Sequence, residues 1–250
     1  MNGVVIAKTP AVVPSFSSKG FPDISKIIET LSETITDSIL VSAYDIARKY
    51  ITKLPIFPSY FILDSGGYEC SAATELSDTR MSSFRESPWS IEELVEVLDA
   101  WDAPQPTLAV SFDHPRQRHS VEHQIERAMD LFADRPFGRE LLIKPTATVH
   151  ERIDYKSVVA AIRELHYFDV IGFTEKELGY SIFDRMQKIS KIRRALSEIG
   201  LNTPIHIFGS LDPVSTPLYF FAGADIFDGL TWLRYAYSDG QAVYGSNAAA

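Results

Sequence analysis

Eight apolar runs of β type, taking turns with segments of helical spacing, constrain this chain more than any other feature. They read GVVIAKTPAVVPSF, DSILVSA, YFILDSG, PTLAVSFD, ELLIKPT, FDVIGFT, PIHIFGS and GADIFDG. Apolar runs without polar alternation belong to strands buried on both faces, and such strands occur in parallel sheets sheathed by helices. The intervening segments supply those helices: PDISKIIETLSETI, AYDIARKYI, SPWSIEELVEVLDAW, SVEHQIERAMDLFAD, ERIDYKSVVAAIRELH, FDRMQKISKIRRALSEIG and PVSTPLYFFAG. Ser90 with Glu93 three residues on is a capping-box pattern, and Gly200 closes its helix as a C-cap. Eight such units predict an α/β fold, a (β/α)₈ TIM barrel, with a doubly wound open sheet as the alternative. No repeat or linker divides the chain, so residues 1–250 are expected to form a single domain.

Composition narrows the function classes. No segment approaches the roughly 18 unbroken apolar residues of a membrane span, and the N-terminus lacks the basic start and cleavage site of a signal peptide. Cys70 is the single cysteine, so an internal disulfide and a cysteine-rich zinc site within the chain are excluded. A cytoplasmic location is the expectation. The net charge of −9 argues against a partner held by bulk phosphate attraction, although it permits a local basic stripe. Arg116 and Arg118 form one basic group; Lys188, Lys191, Arg193 and Arg194 form another, read as the solvated face of a helix.

In barrels of this kind the chemistry sits at the C-terminal ends of the strands. Those ends carry Asp64, Asp113, Lys144, Thr174 with Glu175, Gly209 and Asp228. An aspartate after a strand is an ordinary turn former. Three of them converging on one mouth point to chemistry, because crowded carboxylates in a partly apolar cavity divide into an acid and a nucleophile. Other motifs are weaker. There is no glycine-rich phosphate loop and no nucleophile elbow. His119 and His123 have the spacing of a metal pair without an evident third ligand, and Cys70 reads as a plain buried thiol.

The motifs resemble those of one family. LDSGGYE is similar to the Thr-Asp-Ser-Gly-Gly-Phe-Gln signature of tRNA-guanine transglycosylases, SFDHP to their Phe-Asp-Glu-Cys element, and GADIFDG to their Gly-x-Asp-x-Phe-Asp-Cys element. TPAVVPSF, SILVSAYDIARK, IGF and HIFGSLDPVSTPLYFFAGADIFDG resemble further family segments in the same order. The resemblance implies a pentosyltransferase without cofactor or metal. Asp228 would attack C1′ of the target nucleotide, expelling guanine and leaving a covalent glycosyl-enzyme. Asp64 would handle the proton of leaving and incoming bases, and Asp113 would read the Watson–Crick edge. Gly172 would lie in a backbone loop lining the base pocket; Ser65, Gly66 and Gly67 would hold Asp64 and let a flat base approach. Gly209 and Arg234 complete the expected binding set, Arg234 as a phosphate contact.

Departures from the family bear on the substrate. The Gln-Gly-Gly element after the fifth strand is KPTA here, which gives Lys144 a polar role in the pocket. The cysteine after the nucleophile is Gly229, and LTWLRYA stands where tRNA enzymes have Pro-Thr-Arg and then a zinc subdomain, so the barrel is expected to lack that subdomain. Relatives that install 7-deazaguanines in DNA diverge in the same region. DNA is therefore the expected polymer, with tRNA as the alternative, a 7-deazaguanine of the preQ0 kind as the incoming base, and accessory proteins or a homodimer as possible partners. Two rivals stand beside this reading: a non-catalytic transglycosylase-like partner subunit, and a metal-dependent hydrolase using Asp64, Asp113 and Asp228 as ligands. A pure nucleic-acid binding module fits poorly with an acidic chain and inward carboxylates.

Overall fold

A computed structural model describes residues 5–21, 23–35, 37–70, 87–113, 117–146, 151–233 and 235–244. Eight strands close into a barrel in simple chain order: β1 (Ala11–Phe16), β2 (Ser38–Ser42), β3 (Tyr60–Asp64), β4 (Thr107–Val110), β5 (Gly138–Ile143), β6 (Val170–Thr174), β7 (Ile205–Phe208) and β8 (Ile226–Gly229). All neighbours are parallel, and β8 returns to β1 with Val13 opposite Asp228. The open-sheet alternative is thereby excluded.

Helices α1 (Ile24–Leu31), α2 (Ala43–Ala47), α3 (Ile91–Asp99), α4 (Val121–Phe132), α5 (Tyr155–Ala160), α6 (Glu175–Leu178), α7 (Ile182–Glu198) and α8 (Ser215–Ala222) fill the connections. The Ser90 capping box forms as the sequence predicts, and Gly200 takes φ +77° just beyond α7. α7 buries Ile189, Ile192 and Leu196, a spacing of three and four that makes one apolar stripe. Its basic residues are tied locally: Arg193 bonds the Gly223 and Thr203 carbonyls, Lys188 the Leu178 carbonyl, and Lys191 lies 4.4 Å from the Tyr155 ring centre. After β8 comes a 3₁₀ turn (Thr231–Leu233) and an antiparallel hairpin, β9 (Tyr235–Ser238) with β10 (Gln241–Tyr244), which the apolar pattern did not anticipate. No helix among the described residues is long and apolar enough to cross a membrane.

Strand alternation sorts the core into two layers. Residues such as Ile39, Phe61, Leu63, Ile171, Ile205, Ile207 and Phe227 face the helices. Val13, Leu40, Ile62, Leu108, Leu142, Phe208 and Ile226 fill the barrel lumen. The same alternation turns the last inward positions of β1, β3 and β8, which are Ser15, Asp64 and Asp228, toward the mouth.

Candidate active site

The mouth holds a cavity of about 290 Å³ at the C-terminal strand ends. Its lining includes Ser15, Asp64, Gly67, Asp113, Lys144, Gly209 and Asp228, so the three strand-end aspartates share one space. Each is nearly buried, at 8, 8 and 5% exposure for Asp64, Asp113 and Asp228.

Asp228 is fixed from three sides. Ser15 Oγ donates to Oδ2 at 2.6 Å, and the Gly209 backbone N–H donates to Oδ1 at 3.0 Å. Gly209 has φ +74°, where L side chains are strained, so glycine is what lets β7 turn its amide back onto the carboxylate. His206 Nε2 lies 3.2 Å from the same Oδ1 without hydrogen-bond alignment. On its other side His206 Nδ1 meets Glu140 Oε1 at 2.7 Å; both side chains are fully buried.

Gly66 stands in the turn that holds Asp64, as expected, whereas Gly172 lies elsewhere than the expected loop. A Cβ on Gly172 would come within 2.5 Å of Phe208 and 2.9 Å of Glu140 Oε1. Gly172 lies inside β6 rather than in a loop, directly between Leu142 of β5 and His206 of β7 in register. Its missing side chain is the gap through which Glu140 reaches His206. A Cβ on Gly67 would run into the Asp113 carboxylate, so the missing side chain lets that carboxylate sit against the turn. Gly66 has φ +90°, and a Cβ there would meet Tyr44 and Trp89 at 2.8 and 2.9 Å. Gly66→Ala is expected to cost about 1–3 kcal/mol through left-handed strain alone, read as a lowered urea midpoint.

Asp64 caps its own turn, accepting the Gly66 N–H at 3.1 Å. Trp89 Nε1 pins the turn by donating to the Ser65 carbonyl at 2.8 Å. The Ser65 hydroxyl donates to Asp113 Oδ1, and Lys144 Nζ stands 3.3 Å from Asp113 Oδ2. Lys144 also pairs with Glu177 at 2.7 Å and bonds Thr174 at 3.0 Å, while Arg118 pairs with Glu177 at 2.9 Å. Ser65 and Gly66 thus support the site from behind. Arg234 and Arg116 lie outside the described residues. His119 bonds Arg127 at 2.6 Å, and among the described residues no group of three or more His, Cys, Asp or Glu side chains is placed to hold a metal ion. Burial, with Asp113 and Glu69 adding, pushes the Cys70 thiol up to about 12, which leaves it unreactive near neutrality.

Sequence reasoning missed Glu69, Asp45, Glu140 and His206. Glu69 accepts from Ser17 and, at 2.8 Å, from Ser42; Asp45 accepts from the backbone and hydroxyl of Ser18. A charged residue inside an apolar run was the available signal for Glu140 and His206, since RELLI and IHIF each place one at an inward position.

The electrostatics follow from burial. Desolvation, then Glu69 and Asp113, holds Asp64 well above the usual carboxylate range. Desolvation and Asp45 raise Glu69 to about 7, and desolvation raises Asp45 to about 6 against the Ser18 bonds. Burial pulls His206 down, but Glu140 and then Asp228 outweigh it and bring it to about 9. Folded His206 therefore keeps its proton to higher pH than the unfolded chain, whose imidazole titrates near 6.5. That stabilisation is complete below about pH 6.5 and lost as pH rises through about 9. The raised carboxyls act in the same direction at lower pH, because the unfolded chain ionises first. The urea midpoint is expected to fall on going from pH 6.5 to 9, with a slope of up to about 1.4 kcal/mol per pH unit from His206. A Glu140→Leu/His206→Leu variant should lose that component; an unchanged slope would refute the assignment of the proton to His206.

No protein-family model matches the chain. It is similar to the tRNA-guanine(15) transglycosylase of Methanococcus aeolicus, 22% identical over 246 residues that cover 94% of this chain. The chain spans 36% of that relative's length. The similarity covers nearly the whole barrel, including the strand ends that carry Asp64, Asp113 and Asp228.

Proposed function

We propose that the chain is a base-exchange glycosyltransferase that replaces guanine in a nucleic acid by a 7-deazaguanine through a covalent aspartyl intermediate. The observation that carries this is the pairing, in one cavity, of a firmly oriented carboxylate with a carboxyl raised well above its usual range. A carboxylate oxygen of Asp228 attacks C1′ as the glycosidic bond breaks, and protonated Asp64 supplies the leaving guanine with its proton. The incoming base then gives its N9 proton to Asp64 and attacks C1′, and Asp228 departs with the electron pair. Two displacements retain configuration. The target base must leave its stack to reach the cavity.

Asp113 is held by Ser65 and Lys144, which aligns its carboxylate for the Watson–Crick edge; Lys144 and Arg118 supply further donors on that wall. Because Asp64 acts first as an acid, guanine release is expected to decline on the alkaline side as Asp64 loses its proton. A pH-rate profile of the first half-reaction checks this, and a rate that rises steadily with pH would count against Asp64 as the donor.

DNA is the proposed polymer, on the divergence of GLTWLRYAY after β8. In this stretch Trp232 packs edge-on against Phe16 at 5.2 Å and donates to the Ser15 carbonyl at 3.0 Å, which ties the segment to the strand that orients Asp228. tRNA is the second reading, favoured by the name of the Methanococcus relative. The test is release of labelled guanine from DNA and, separately, from tRNA on addition of a preQ0-type base. Release from DNA supports the first reading and release from tRNA alone the second. Release from neither, with a 7-deazaguanine present, would sink base exchange and favour a non-catalytic partner subunit.

A further inference from the structure

Glu140 and His206 form a buried ionic pair that the exchange reaction, as described, leaves unused. Their lumen neighbours are mostly apolar, Ile62, Leu142, Phe208 and Ile226, with the Tyr60 phenol close enough to feel Glu140. Buried pairs are seldom needed for stability, since apolar residues of similar volume often serve as well. Here the fold gives up a side chain at Gly172 to admit Glu140, and stacks Phe208 on the imidazole at 3.9 Å. The pair is also directional. Nδ1 is taken by Glu140, which leaves Nε2 facing the Asp228 carboxylate at 3.2 Å, an ion-pair contact without hydrogen-bond alignment.

We infer that His206, anchored by Glu140, is a positioning residue: an imidazolium lodged behind Asp228 that orients the carboxylate and favours its departure from the glycosyl ester. The inference rests on the base-exchange reading. In the covalent intermediate Asp228 carries no charge, so a fixed cation beside Oδ1 interacts far more with the expelled carboxylate than with the ester. When the incoming base bonds to C1′ and its N9 proton passes to Asp64, the C1′–O bond breaks and the electron pair returns to Asp228, opposite the imidazolium. The cation thus assists the second displacement. Charged groups facing His206 are Glu140 from β5 and Asp228 from β8; Asp64 from β3 interacts electrostatically with Asp228, and Tyr60 at the start of β3 feels Glu140.

Two measurements test this on the whole chain, with Glu140→Gln and Glu140→Leu/His206→Leu as variants and thermal melting as the folding check. Nitrogen NMR of the His206 imidazole should show both nitrogens protonated at neutral pH in the native chain and a neutral ring in Glu140→Gln. A neutral ring in the native chain overturns the inference whatever the activity. Rapid quenching on a denaturing gel then follows the chain–nucleic-acid adduct. Both variants should accumulate adduct and discharge it to a preQ0-type base on the order of 10²-fold more slowly than the native chain. A folded double variant that discharges at the native rate overturns the role of His206 while base exchange stands. No guanine release and no adduct from the native chain on DNA or tRNA overturns base exchange, and the role in ester breakdown with it.

Discussion

Asp228→Ala is expected to lower guanine release by on the order of 10⁴-fold or more, because it removes the only group the proposed reaction has for holding the sugar between the two bases. The substitution should leave the barrel folded. Asp228 accepts from Ser15 and the Gly209 amide, both lining the cavity, and the buried His206 keeps Glu140 as its partner when Asp228 goes. Asp228→Asn is the more telling companion. It keeps the shape and one acceptor for those donors, but a neutral amide is a poor nucleophile toward C1′. The check is a single-turnover assay with labelled guanine in DNA or tRNA, beside a denaturing gel for the covalent adduct. Loss of both release and adduct in both variants is the expected result; substantial release without adduct would mean that water or the incoming base attacks directly, and that Asp228 only stabilises charge.

A second large effect concerns the fold. His206→Leu is expected to destabilise the chain by about 3–5 kcal/mol near neutral pH, because it leaves Glu140 as an uncompensated buried charge. Glu140 is fully buried, and its Oε2 has no hydrogen-bond partner even in the native structure. Glu140→Leu should cost much less. A buried imidazole can release its proton at little expense close to its ordinary titration range, whereas a stranded carboxylate must take one up well above its own. The double variant should recover most of the loss, since two leucines fit a lumen already built from Leu142, Leu40 and Ile62. Urea unfolding of the three variants at two pH values checks this. The His206→Leu penalty should shrink toward acid pH, and equal, pH-independent costs for both single variants would point to packing rather than charge.

These expectations divide by what produced them. The barrel and the convergence of Asp64, Asp113 and Asp228 were legible in the chain alone, because strands buried on both faces must be apolar and a polar residue closing such a run has one place to go, the mouth. The roles of the glycines were not. Which of Gly66, Gly67 and Gly172 serves a strained turn, which makes room for a carboxylate and which clears a path between strands depends on Asp113, 46 positions away, for Gly67, and on a strand-to-strand register for Gly172. His206 and Glu140, 66 residues apart, were visible only as two polar exceptions in apolar runs. Local pattern records burial and period, which each residue carries by itself. Pairing a buried acid with a buried base requires the barrel to close, and only closure at one register sets His206 between Glu140 and Asp228.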